Sequence, residues 1–177
     1  MGAIYGSSYY TLVDGIYWST ANLNAKNLGG HLASITSEQE DTYIWNTFAK
    51  EIEISTSGHN WGYFIGLQRE ATASKDIWSN WYWENGESTT SYRNSSFNPG
   101  NANSEPNGND SPYVHVWGYT PGIHESPMWN DLPNFGNWGL RESPLYGMAE
   151  VPLSYFSISD ATFREGKSGD VTITRTG

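Results

Sequence analysis

Residues 84–112 form a long stretch rich in Asn, Gly, Pro and Ser, with neither a helical nor an alternating apolar pattern. In a compact domain, irregular stretches longer than about 12–15 residues are uncommon, and those that persist are functional or disordered. This stretch constrains the fold more than any other feature. Regular elements on either side must carry a large polar loop, and the loop needs a use. Near its C-terminal end lies NSEPNGND, residues 103–110, where acidic and amide oxygens flank one proline.

The flanks supply the frame. In WSTANLNAKNL, Trp18, Ala21, Ala25 and Leu28 recur at helical spacing, and Gly29-Gly30 ends that helix as a C-cap pair. SEQE is a capping box, with Ser37 as cap and Glu40 three residues on, and it opens a second helix whose stripe is Ile44, Trp45 and Phe48. SSYYTLV ahead of the first helix predicts a strand, and HLASI between the helices an extended link. From about 59 to 152 helical patterning stops, and short strands are expected at 63–67, 81–83, 113–117 and 146–151. The closing segment FSISDATFREGKSGDVTITRTG holds two alternating runs around an acidic-Gly turn, which predicts two strands of a different domain cut short.

Composition narrows the function. At 177 residues the chain suffices for one well-packed domain and a short appendage. Its 9 basic and 19 acidic residues give a formal charge of -10, which disfavours nucleic-acid and other phosphate surfaces and suits a cation. No apolar run of about 18 residues is present, so no membrane insertion is expected. MGAIYGSSYY lacks the basic-then-apolar order of a signal peptide, and Met1-Gly2 reads as an added start. With no cysteine, disulfides and thiolate metal sites are excluded, which fits a cytosolic protein and a bacterial secreted one equally.

As chemistry, Glu105, Asn107, Asp110, Asn130 and Asp131 are hard-oxygen ligands. Calcium takes six to eight oxygens, carboxylate and amide carbonyl alike, at about 2.3–2.6 Å. Three carboxylates and two amides supply such a set, and Pro106 stiffens the turn between two of its members. Asn103, Glu105, Asn107 and Gly108 also match the first half of an EF-hand loop. That reading fails because its twelfth position is Val114 rather than a bidentate Glu, and no helix follows. His31, His59, His115 and His124 show no metal spacing, and His31 reads as structural. Asn94-Ser95-Ser96 and Asn109-Asp110-Ser111 are glycosylation triplets by pattern, read as incidental.

Six landmarks occur in a recognisable order: GGHLASITSEQE, FIGL, WYWENGE, EPN, WND and GMAEVP. Over residues 4–152 this order resembles the C-type lectin-like domain. The resemblance implies an α+β fold, two helices flanking small antiparallel sheets, with paired N- and C-terminal strands and a long irregular loop region carrying the site. It implies a cis bond before Pro106 and calcium ligands at Glu105, Asn107, Asn130 and Asp131, with Asp110 standing for a further acidic ligand. A second calcium is not expected, because its usual positions hold Arg69, Ala73 and Gly108. The cysteines usual in the family fall at Ala25 and Ala149, and at Tyr113 and Asn134. Each forgone bridge is worth about 2–4 kcal/mol, which aromatic packing or calcium must offset. Cysteine-free versions of this fold look bacterial. Residues 153–177 resemble the opening of a Calx-beta module through SISDATFREG and GDVTITRTG, with Glu165 expected to be solvated.

The function so implied is calcium-dependent carbohydrate binding of the mannose type, which favours equatorial 3- and 4-hydroxyls. The chain would be a module of a larger extracellular, secreted or cell-surface adhesin, with glycans as partners. The same five residues would bind the sugar: an Asn gives its carbonyl to calcium and its NH2 to a sugar hydroxyl, while a carboxylate accepts that hydroxyl's proton. Tyr119, Trp129 and Trp138 are the rings near enough in sequence to stack on it, although Trp129 reads first as a core anchor. Two other classes stand beside this one. The first is a non-catalytic protein-interaction domain in which calcium only orders the loop. The second is a glycoside hydrolase using Glu105 and Asp131, which is disfavoured because both acids are committed to the metal and no GxSxG or HExxH motif occurs.

Overall fold

The computed structural model describes residues 2–52, 60–134 and 146–153 in full, together with the strand backbones at 155–158 and 173–176. β1 (Gly2–Tyr5) and β2 (Ser8–Asp14) form a hairpin, followed by α1 (Trp18–Asn27), β3 (His31–Leu32) and α2 (Glu38–Phe48). Then come β4 (Tyr63–Arg69), a short 3-10 turn at Trp78–Asn80, β5 (Trp81–Trp83), β6 (Tyr113–Val116), β7 (Trp129–Leu132) and β8 (Tyr146–Pro152). All eight strands join one sheet of order β1-β2-β8-β4-β6-β7, with β3 added to β8 and β5 to β4. The α+β class therefore holds, and β2 pairs with β8 along its whole length, as expected of the terminal strands. The small antiparallel sheets do not: the sheet is continuous and mixed, because β4 runs parallel to β8.

Each helix shows why its sequence folds as it does. Tyr17, the N-cap of α1, does not cap the helix with its side chain. Asn134 caps the helix from outside instead, its carbonyl accepting from the Trp18 N–H and its Oδ1 from the Ser19 N–H, both at 3.0 Å. Ala21 and Ala25 are fully buried, which lets α1 close on Gly147, where an added Cβ would lie 2.7 Å from that of Ala21. At α2, Ser37 Oγ accepts from the Glu40 N–H at 3.2 Å. Glu40 does not return to Ser37. It takes the Thr36 N–H at 2.8 Å and the Tyr10 hydroxyl at 2.6 Å, tying the helix start to β2. Ile44, Trp45 and Phe48 face the main core with Tyr63, Ile65, Trp81, Trp83 and Trp129.

The cysteine positions have been refilled in two ways. Ala25 and Ala149 are both fully buried in one apolar cluster with Val13, Trp18, Leu32 and Phe64. Tyr113 and Asn134 are joined through Trp18, whose ring stacks on Tyr113 at 4.5 Å and whose N–H bonds Asn134. A ring stack and a helix cap therefore connect those two positions.

The long loop is anchored from α2. Asp41, fully buried, accepts from the Tyr92 hydroxyl at 2.9 Å, Asn94 Nδ2 at 2.8 Å and the Trp129 indole at 3.2 Å. Phe97, also fully buried, inserts edge-on against Trp81 at 4.9 Å. Asn94 is 5% exposed and its Nδ2 also reaches the Pro127 carbonyl at 3.1 Å, so its glycosylation triplet is a structural hub rather than an acceptor. Beyond residue 153, β9 (Tyr155–Ile158) and β10 (Ile173–Thr176) pair antiparallel in a separate two-stranded sheet, the pair of strands expected there. His59, Trp138 and Glu165 lie outside the described residues. Among the described residues, no helix is long and apolar enough to cross a membrane.

Candidate metal centre

The EPN turn and the WND strand meet because Ser96 joins them. Its hydroxyl accepts from the Trp129 N–H at 2.8 Å and lies 3.2 Å from the Trp129 carbonyl, while its own carbonyl accepts from the Glu105 N–H at 3.1 Å. A parallel bridge between Phe97 and Glu105 continues this pairing. The chain then turns through a cis Glu105-Pro106 bond, and the Asp131 carboxylate collects the next two backbone donors. Asn107 N–H bonds Oδ1 and Gly108 N–H bonds Oδ2, both at 2.9 Å. Position 108 must be glycine for this approach, since a Cβ there would lie 2.3 Å from Ser111 Oγ and 3.0 Å from Asp131 Oδ2.

Four of the five expected residues are thereby brought together. Asn107 Nδ2 donates to Glu105 Oε1 at 3.0 Å. The Asn130 amide lies between His115 and Glu105, one end 2.9 Å from His115 Nε2 and the other 3.0 and 3.1 Å from the two Glu105 oxygens. Burial, and next the hydrogen-bonded Asp131 carboxyl, push Glu105 up to about 7. Burial raises Asp131 as well, against the two backbone donors that lower it. His115, fully buried, is pushed down to about 3 by the loss of water and stays neutral.

This donor set fits a hard cation. A side-chain amide and two carboxylates converge, and neither acid is in an ion pair among the described residues. A half-buried Glu105 carboxylate and a buried Asp131 carboxylate repel one another unless a proton or a metal ion stands between them. Glu105, Asn130 and Asp131 would hold such an ion, and Asn107 keeps its Oδ1 for it.

No protein-family profile matches the chain. A perlucin-like protein of Mytilus galloprovincialis is 28% identical over 125 residues, 70% of this chain and 67% of that one. Among solved structures, the carbohydrate-recognition domain of cow CD23, obtained in the presence of a GlcNAc2Man3 oligosaccharide, matches with a TM-score of 0.55 at 20% identity, over 85% of this chain and 92% of that one. Herring type II antifreeze protein matches at 0.57 and 18% identity, over 86% and 96%.

The fold is C-type lectin-like. That fold carries an oligosaccharide-associated domain and an antifreeze protein alike, so it does not choose a ligand by itself. The choice rests on side chains.

One side chain departs from the expected pattern. Asp110 is exposed and does not join Glu105 and Asp131: among the described residues, no three acidic or imidazole groups converge. Burial lowers the Arg69 guanidinium from its ordinary value, and the charges of Asp131, Asp110 and Asp76 oppose that shift. Arg69 is 3% exposed and reaches five backbone carbonyls: those of Glu70, Ala71 and Ala73 at 2.8–3.2 Å, and those of Gly108 and Asn109 at 3.3 and 2.5 Å. Arg69 is thus a built-in cation that ties residues 70–73 to residues 108–109, next to Asp110 in the chain.

Of the rings considered for stacking, Trp129 is fully buried among Trp83, Tyr92 and Phe97 and meets no ligand. Tyr119 packs edge-on against Trp45 and carries Lys50 over its ring. Ser96, Asp41 and His115 were not foreseen as parts of this site. Only the β6–β7 register, in which His115 faces Asn130, reveals the last of them.

Proposed function

We propose that the chain binds one calcium ion through Glu105, Asn107, Asn130 and Asp131, and through that ion a mannose-type sugar. It would serve as a glycan-binding module of a secreted or surface protein. The observation that carries this reading is the meeting of the Asn130 side-chain amide with the Glu105 carboxylate beside Asp131. Calcium supplies Lewis-acid attraction for two adjacent sugar hydroxyls, and the protein supplies the donors and acceptors around them. Asn107, exposed, offers its NH2 to one hydroxyl, while Glu105 accepts the proton of the other. A hydrolase is disfavoured by geometry. Catalytic carboxylates flank a glycosidic bond at about 5–9.5 Å, whereas Glu105 and Asp131 are in hydrogen-bond contact.

A calorimetric calcium titration with and without mannose tests the reading. Extracellular calcium modules bind at about 0.1–1 mM, so mannose should add heat only in millimolar calcium, and a chelator should remove it. Sugar heat that persists in chelator would reject calcium as the bridge. Glu105→Gln with Asn107→Asp keeps the metal oxygens but exchanges donor and acceptor sides. Preference should then move from mannose toward galactose, and an unmoved preference would show that this turn does not read the sugar.

Glu105 also predicts a pH dependence. Its folded value of about 7 lies above its ordinary 4.5, so the metal-free fold holds a proton that the unfolded chain has lost within that window. Its contribution to metal-free stability therefore falls as pH rises from about 4.5 to about 7. Calcium affinity rises over the same window, because the metal takes the ionised carboxylate. Melting curves in chelator should lose this slope in Glu105→Gln, and an unchanged slope would assign it to another group.

A further inference from the structure

We propose that His115 is a positioning residue for the cation site: its bare Nε2 takes the Asn130 NH2 and so fixes the Asn130 carbonyl oxygen toward Glu105 and the ion. The proposal rests on the calcium reading above, but its geometric half stands without metal. His115 and Asn130 are direct cross-strand partners in the β6–β7 pairing. His115 Nδ1 lies 2.9 Å from the Trp61 carbonyl, which only accepts, so Nδ1 carries a hydrogen. The ring is fully buried, and no carboxylate is among its hydrogen-bond partners in the described residues, so it carries one N–H and not two. Nε2 is then an acceptor, and only the amide nitrogen can satisfy it at 2.9 Å.

Hydrogen bonding to Glu105 alone would favour the opposite orientation of the Asn130 amide, so the imidazole has to decide against it. Turned by half a rotation, its nitrogen would donate to Glu105 Oε1 and Oε2 at 3.0 and 3.1 Å, and its oxygen would need a hydrogen on His115 Nε2. In that state the amide presents NH2 to an incoming cation and no ligand at all. The Trp61 carbonyl therefore bears on which state is populated, through His115 Nδ1. It sets the tautomer, the tautomer sets the amide, and the amide completes the oxygen set. Trp61 and Trp117, with ring centroids 6.3 and 4.7 Å from the imidazole, pack around the ring. One Asn130 N–H is spent on this lock, which leaves the exposed Asn107 as the freer donor for a sugar.

The test combines a tautomer measurement with a double-mutant cycle on the full chain, using calcium alone as probe. Long-range nitrogen–proton NMR of the metal-free wild type should show Nδ1 protonated and Nε2 bare. A proton on Nε2 would overturn the lock whatever the metal does. His115→Phe keeps the buried ring and deletes the acceptor, and calcium affinity should fall by about 10–100-fold, the usual cost of losing an outer-shell partner. Asn130→Asp should weaken calcium in the wild-type background, where a carboxylate oxygen meets the bare Nε2. It should strengthen calcium in the His115→Phe background, where both ends of residue 130 are then oxygen. Equal effects of Asn130→Asp in both backgrounds would reduce His115 to packing and overturn the proposal. If His115→Phe does not fold, the wild-type spectrum still decides. A wild-type chain that binds no calcium but shows the stated tautomer would reject the proposed function while upholding the lock.

Discussion

Asp131→Ala is expected to abolish calcium binding, and sugar binding with it, lowering calcium affinity by more than about the hundredfold that outer-shell changes reach. The side chain does two jobs at once. Its carboxylate stands with Glu105 and Asn130 in the donor set, and its two oxygens hold the Asn107 and Gly108 N–H groups that shape the turn. Removing it deletes a ligand and also releases the turn that aims Glu105 and Asn107. Asn107 is exposed and can hydrate, so much of the lost bonding is recovered from water and the fold should survive. Asp131→Asn separates the two jobs: it keeps one acceptor oxygen for the turn but places an NH2 against the other backbone donor, and binding should fall partway. Calorimetry with calcium and a glycan array in millimolar calcium read both effects. Unchanged glycan affinity in Asp131→Ala would remove the site from consideration.

What the sequence disclosed was local. Helix α1 is written in the spacing of Trp18, Ala21 and Ala25, and α2 in Ser37 and its apolar stripe, because 3.6-residue periodicity and caps act within a turn or two. EPN and WND were legible because oxygen ligands cluster by chemistry as well as by position. The rest depends on partners distant in sequence. The parallel pairing of β4 with β8 leaves no trace in either strand. β7 is four residues long with two of them polar, and its polarity belongs to the site rather than to solvent, so alternation could not find it. Asp110 was placed by analogy of spacing, whereas the carbonyls around Arg69 decide where that part of the loop lies. Asp41 stands in the first turn of α2, where the dipole favours an acid, so its type there signals nothing more. Only the folded loop shows what it holds.

Asp41→Ala should accordingly be the most destabilising single change near the site. The carboxylate is fully buried and accepts from Tyr92, Asn94 and the Trp129 indole, three donors drawn from the long loop and from β7. Truncation leaves those donors without an acceptor in a water-poor interior, where each unsatisfied group costs about 1–3 kcal/mol. Asn94 keeps the Pro127 carbonyl and Tyr92 can turn toward solvent, so the sum is cut back to about 3 kcal/mol. For a chain of this size, that is a fall in melting temperature of roughly 6–12 °C. Asp41→Asn should recover part of it, because one oxygen remains for the indole or for Asn94. The loss should also reach the metal. Trp129 precedes Asn130 in the chain, and Asn94 leads into Ser96, the residue that holds Glu105 beside β7. Calcium should therefore stabilise Asp41→Ala less than wild type at the same concentration, as mass action requires when affinity drops. A variant that melts as wild type does, with an equal calcium shift, would show that the loop is held by Phe97 and the sheet, and that Asp41 is only a solvated acid beneath it.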